Sequence, residues 1–153
     1  QVTPLWQGEA EIESLMEKFN HACAENTTVP RPQIMLLHHA YVGKDEQECE
    51  WAAKQLSRFY CYFGAWFKNE RPINNGCIAP LTAEEQAAIS MFSPAQMRAN
   101  MAIGTSKQVI ERLKHYEGLG YDEYAYWLDT GMSGKQNHIA LQRFIDEVMP
   151  AFN

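Results

Sequence analysis

What this chain lacks narrows its function before any motif is considered. It has no apolar run long enough to span a bilayer and no basic-then-apolar leader, so the sequence reads as a cytoplasmic protein with no membrane contact. It has no cluster of positive charge. Lysine and arginine total 13 against 19 acidic residues, the net charge is -6, and the basic residues are scattered. Nucleic-acid binding needs a concentrated basic footprint, so that class is set aside. Cysteine is present four times, as Cys23, Cys49, Cys61 and Cys77, but with neither zinc spacing nor a CxxC pair. These read as reduced thiols. His21, His115 and His138 are isolated at helical positions without metal-ligand partners, and no metal is expected. Gly104-Thr105-Ser106-Lys107 lacks the first glycine and the spacing of a phosphate loop, and the sequon Asn26-Thr27-Thr28 has no secretory context. Internal repeats and low-complexity tracts are also missing.

What is present is an alternation of strand and helix. With 153 residues, 46% of them hydrophobic, the chain can bury one core. Val2 to Trp6 is a short apolar segment, and Glu9 to Glu25 carries Ile12, Leu15, Met16, Phe19, Ala22 and Cys23 on one helical stripe. Acidic residues in its first turn suit the helix dipole. After a polar, proline-containing loop from Asn26 to Pro32, Ile34 to Val42 is almost unbroken apolar sequence. Such a run fits a parallel strand covered on both faces. Only His38 and His39 interrupt it, and adjacent strand residues point to opposite faces, so at most one of the two can face a site.

Asp45 is placed to cap a long helix reaching about Phe67, in which Ala52, Leu56, Phe59, Tyr60, Phe63 and Phe67 form a stripe. Trp51 and Trp66 extend the aromatic surface beyond that stripe, implying contact with another element or subunit. Lys68 to Pro80 reads as an irregular excursion. Thr82 with Glu85, and Ser93 with Pro94, open two short helices within an inserted region spanning 68–101. Thr105 with Gln108 has capping-box spacing ahead of a helix stopped by Gly118 and Gly120. Tyr121 to Asp129 is a strand whose Tyr121, Tyr124, Tyr126 and Trp127 read as packing residues. Ser133 with Gln136 repeats the capping box. The closing helix carries Leu141, Phe144, Ile145, Val148 and Met149 on one face and ends at Pro150.

The order "IGTSKQVIERL", "GYDEYAYWLDTG", "FIDEVMPAF" resembles the C-terminal end of the bacterial luciferase-like flavin-dependent monooxygenases. There a G-T-P-like helix start, a last barrel strand and a closing "VMP" helix follow in this sequence, and Ser106 stands where the family usually has proline. "VTPLWQGEAEIESLMEKFNHA" and "IMLLHHAYVGKDEQE" are similar to the strand-and-helix pairs that precede that end. The resemblance implies an α/β fold, the C-terminal portion of a (β/α)8 TIM barrel with about strands six to eight parallel and flanked by helices. The chain is then a single partial-barrel domain over 1–153. A complete barrel runs to roughly 250 residues, so a fragment is expected.

The resemblance also implies reduced FMN or the deazaflavin F420 as cofactor, a small organic substrate and a flavin reductase partner. A flavin site needs a flat slot for the ring and a positive or helix-terminal pocket for the phosphate. Trp6 either walls the ring or is a core tryptophan. His38 and His39 are either proton-transfer groups or hydrogen-bonded core residues; the family's catalytic histidine belongs to the N-terminal half, so neither inherits that role. Asp129 and Thr130 end the last strand, where barrels place functional groups or capping residues. Arg71 is either an anion-binding cation or a solvated loop residue. The chain by itself is expected to be inactive, completed by an upstream barrel half. The rival reading is a non-catalytic half-barrel module for binding or self-assembly, a homo-oligomer in which association covers the unpaired strand edges.

Overall fold

A computed structural model describes residues 2–3, 8–128 and 131–152. The central element is β2 (Met35–Val42), hydrogen-bonded in parallel to three other strands. On one edge it pairs with β1 (Val2–Thr3), Val2 opposite Met35. Along Met35 to His39 it pairs with β6 (Glu123–Trp127), and beyond that Ala40 to Val42 pair with β5 (Ala102–Gly104). All three pairings are parallel, as continuous apolarity without alternation demands.

Parallel strands need crossovers, and these are helical. Between β1 and β2 runs α1 (Glu9–Glu25), which lays Ile12, Met16 and Phe19 against Ile34 and against Leu36 and Val42 of β2. Into the same cluster α5 (Ser106–Leu119) inserts Val109, Leu113 and Tyr116, so two successive crossovers cover one face of the sheet. The Tyr121 hydroxyl donates to the Ile12 carbonyl at 3.2 Å, and His115 on α5 lies 3.3 and 3.4 Å from Glu9 and Glu13 of α1. The opposite face is covered by α2 (Glu46–Lys68), whose Cys49, Ala52, Ala53, Leu56 and Tyr60 surround Tyr41 together with Met97, Met101 and Ile103. Each large side chain removed from water in these layers is worth about 1.5–3 kcal/mol.

Between α2 and β5 the chain forms more regular structure than its composition predicts. Lys68 to Pro80 is not an irregular excursion: it contains an antiparallel hairpin, β3 (Ile73–Asn74) and β4 (Cys77–Ile78). Asn75 and Gly76 form its two-residue turn with φ of 51° and 79°, the left-handed pair that a type I′ turn requires and an Asn-Gly sequence supplies. The capping box of Thr82 and Glu85 opens α3 (Ala83–Ala88), and Ser93 with Pro94 opens α4 (Pro94–Asn100), both as expected.

The last segment departs from expectation. Ser133 and Gln136 cap α6 (Gly134–Arg143), but Phe144–Val148 then widens into a π-turn and Met149–Phe152 continues as a 3₁₀ turn. Pro150 does not end the helix; lacking an N–H it cannot bond the carbonyl four residues back, and Met149 N–H reaches Phe144 instead. The wider turn splits the predicted stripe. Val148 is buried, whereas Ile145 and Met149 are 44% and 46% exposed. Nor does Gly118 stop α5: the helix runs through it and ends at Gly120, whose φ of 103° is the left-handed cap.

The four cysteines are free thiols, and no helix among the described residues is long and apolar enough to cross a membrane. Leu56, fully buried where α2 meets β2 and β5, is the test of this layering. Leu56→Ala is expected to cost about 2–5 kcal/mol, read as a lowered urea midpoint with unchanged slope.

Candidate active-site face

Side chains alternate along β2, and the two histidines take opposite faces as expected. Both are fully buried. His38 lies under α5, its ring 6.3 Å from Tyr116 and edge-on to it. His39 lies under α2, edge-on to Phe59 and Tyr60 and stacked on Trp127 at 4.4 Å with an interplanar angle of 14°. The stack follows from register, since Trp127 stands directly opposite His39 in the parallel pair. The Tyr124 hydroxyl donates toward the carbonyls of both histidines at 3.3 Å, and burial raises its pKa well above the ordinary range. Burial likewise pushes the Tyr116 hydroxyl up to about 12. These phenols stay protonated donors.

At the C-terminal end of β2, where a barrel builds its site, Glu48 gathers a charged network. The Tyr41 hydroxyl donates to it at 2.9 Å, the Lys44 N–H at 3.0 Å, and Arg143 at 3.0 and 3.1 Å while also donating to the Val42 carbonyl. One carboxylate thereby joins the strand end, the first turn of α2 and the last turn of α6. Burial opposes ionisation of Glu48, but the donors from Lys44, Arg143 and Tyr41 together outweigh it and hold its pKa below the usual carboxylate value.

Of the residues singled out from the sequence, Trp6, Asp129 and Thr130 lie outside the described residues. His38 and His39 are buried on opposite faces, His38 edge-on to Tyr116 and His39 among Phe59, Tyr60 and Trp127, rather than brought to a common opening. Arg71 is committed elsewhere: its three nitrogens donate to Ala79, Glu85 and Pro80, at 3.0, 2.7 and 2.8 Å, and fasten the hairpin to α3. This accounts for it as neither an open anion site nor a solvated side chain. Most other arginines are similarly engaged. Arg31 forks onto Asp122, Arg98 binds Glu46, and Arg112 donates to the carbonyls of Ala99 and Met101. Among the described residues Arg58 has no carboxylate partner and lies over the Tyr62 ring at 5.9 Å.

Arg58 borders a cleft of about 550 Å³ that sequence reasoning did not locate. Its floor is the aromatic face of α2, Phe59, Phe63 and Trp66, and its walls are the β3–β4 hairpin and Gly131, just beyond β6. The sequence signal was the aromatic excess of α2. What was missing was the knowledge that the hairpin and the strand-end loop come together over it.

A luciferase-like monooxygenase profile matches residues 2–123. The chain belongs to the luciferase-like monooxygenase family. It is 54% identical, over all 153 residues, to the oxygenase component of a flavin-dependent trigonelline monooxygenase from Acinetobacter baylyi, and it spans 42% of that protein's length. Its fold matches an F420-dependent secondary alcohol dehydrogenase, solved with an F420–acetone adduct, at a TM-score of 0.60 with 16% identity, covering 99% of this chain and 42% of that one. The parallel strands and their helices are therefore a portion of a luciferase-like barrel, with β1, β2 and β6 in the places expected for its sixth, seventh and eighth strands.

The Glu48 network gives this face a defined pH response. Its folded pKa is depressed, so its contribution to stability is complete above the ordinary glutamate value of 4.5 and is lost as pH falls through the lower folded value. Chemical denaturation between pH 7 and pH 3 is expected to show that loss, and Glu48→Gln is expected to flatten it while lowering stability at pH 7.

Proposed function

We propose that this chain is the C-terminal portion of a flavin-dependent oxygenase, contributing its last barrel strands and one wall of the active-site mouth. The observation that carries the reading is an incomplete rim. Among the described residues nothing pairs the outer edge of β1 or of β6, although both belong to a sheet whose relatives close into a barrel. The exposed apolar side chains of Ile145, Met149 and Phe152 follow β6 in the chain and await cover. An upstream barrel half would supply both the missing strands and that cover.

The cofactor in this reading is reduced FMN rather than F420. Just over half of this chain's residues are identical in the flavin-dependent relative, whereas the F420 protein shares the fold alone. The described residues do not form a complete flavin cradle, because the arginines other than Arg58 are engaged and the strand-end positions offer one wall only. Reduced flavin with oxygen would supply the oxidation; this chain's part is to exclude water and present the mouth. As an oxygenase component it would receive its reduced cofactor from a separate flavin reductase. Trigonelline, the compound named for the Acinetobacter relative, is a pyridinium ring bearing a carboxylate, and a planar heteroaromatic acid of that kind is the substrate class we assign.

The open edges also favour a second reading, a non-catalytic half barrel that self-associates. Complementation separates the two. Mixed or co-expressed with the remaining N-terminal part of the Acinetobacter relative, the chain is expected to form a one-to-one complex that binds FMN and, with reduced FMN and trigonelline, consumes oxygen. Neither FMN binding nor oxygen uptake is expected from the chain alone. A stable homo-oligomer by light scattering, indifferent to the added half, would overturn the oxygenase reading in favour of the assembly module.

A further inference from the structure

The cleft on α2 has a composition that selects a ligand. Residues 59, 63 and 66 are spaced so that their rings share one helix face. Phe59 and Phe63 stack at 5.7 Å, Phe63 and Trp66 stand 6.2 Å apart, and Phe67 braces Trp66 edge-on at 5.0 Å. Trp66 nevertheless remains 57% exposed. An aromatic face held in place by its neighbours but left open to solvent is a surface for a flat ring or a cation, since the π-system is negative above its plane. Among the described residues the lining contains no acidic residue and a single charged one, Arg58. Alone among the described arginines it has neither a carboxylate nor a carbonyl partner.

We propose that this cleft is the subsite for the ring of a planar pyridinium carboxylate, stacked on Trp66 and Phe63 with its carboxylate on Arg58. The assignment rests on the substrate class argued above and adds the residues that recognise it. A zwitterion of this shape matches both halves of the lining: its cationic ring meets π-faces, and its anionic group meets the open guanidinium fork. A volume of about 550 Å³ falls in the range of small-molecule sites, with room for one such ring. Phe59 connects the cleft to the interior, because the same ring that stacks on Phe63 packs edge-on against His39.

The test uses the whole chain, without flavin or oxygen, and reads its tryptophan indole N–H resonances, four in number, with that of Trp66 assigned by its loss in Trp66→Phe. Trigonelline is expected to move the Trp66 resonance in a saturable titration. N-methylpyridinium, which lacks the carboxylate, and benzoate, which lacks the cation, are each expected to bind more weakly. Trp66→Leu should weaken trigonelline binding roughly three- to thirtyfold and Arg58→Gln about tenfold, with Arg58→Lys recovering part of the loss and far-UV circular dichroism unchanged throughout. An unmoved Trp66 resonance, benzoate binding as tightly as trigonelline, or a shift that follows protein concentration rather than ligand would each overturn the proposal. Binding without oxygen uptake in the complemented barrel would sink the oxygenase reading alone. Oxygen uptake unaffected by Trp66→Leu would sink the subsite alone.

Discussion

The structure depends on β2 being hydrogen-bonded along both edges and buried on both faces. Five consecutive residues, Met35 to His39, pair with β6, and the next three pair with β5. A strand in that position has no wet face, so every residue it carries must be apolar or satisfied by a neighbour. That requirement explains the composition of Ile34 to Val42 and the burial of its two histidines against aromatic rings, Tyr116 for His38 and Phe59, Tyr60 and Trp127 for His39. It also explains why α1 and α5 share one apolar cluster while α2 and α4 share another: β2 is the partition between them.

The strand ends then decide where charge can sit. Near the start of β6, Asp122 accepts from the Ile34 N–H and from Arg31, and those donors keep its pKa low. At the far end of β2, Glu48 collects a phenol, a backbone N–H and a guanidinium. Both are ion-pair pins of strand ends to adjacent segments, and both leave arginines committed to structure. Charge in this chain is largely used to set the positions of helices around the sheet. Against that background the free fork of Arg58, beside an open aromatic face, is the exception that carries chemical information.

An incomplete rim and a ligand-sized cleft describe the same molecule at two scales. The edges of β1 and β6 and the exposed side chains after β6 are surfaces that a barrel would bury. The cleft lies elsewhere, against α2, the hairpin and Gly131, next to the end of β6. Barrel closure and the cleft thus draw on different residues.

The periodic segments were legible because their signals are local. Glu9 to Glu25 forms a helix over the span its stripe predicts, the boxes at Thr82, Thr105 and Ser133 open helices where capping chemistry demands, and the apolar run of β2 is parallel and buried. The family likeness was legible in the order of those segments. The hairpin was missed although Asn75-Gly76 is a turn signal, because its flanking strands are two residues each and show no alternation to read. The closing stripe was misjudged because one wide turn rotates everything after it. By itself, then, the sequence determined the capped helices and the long parallel strand, and that they belong to a luciferase-like barrel, since capping, periodicity and apolarity act between near neighbours in the chain. Only the tertiary structure decided which arginine is left open and which aromatic face is flanked by the hairpin and Gly131, because those are contacts between residues far apart in sequence, set by how the layers pack around β2.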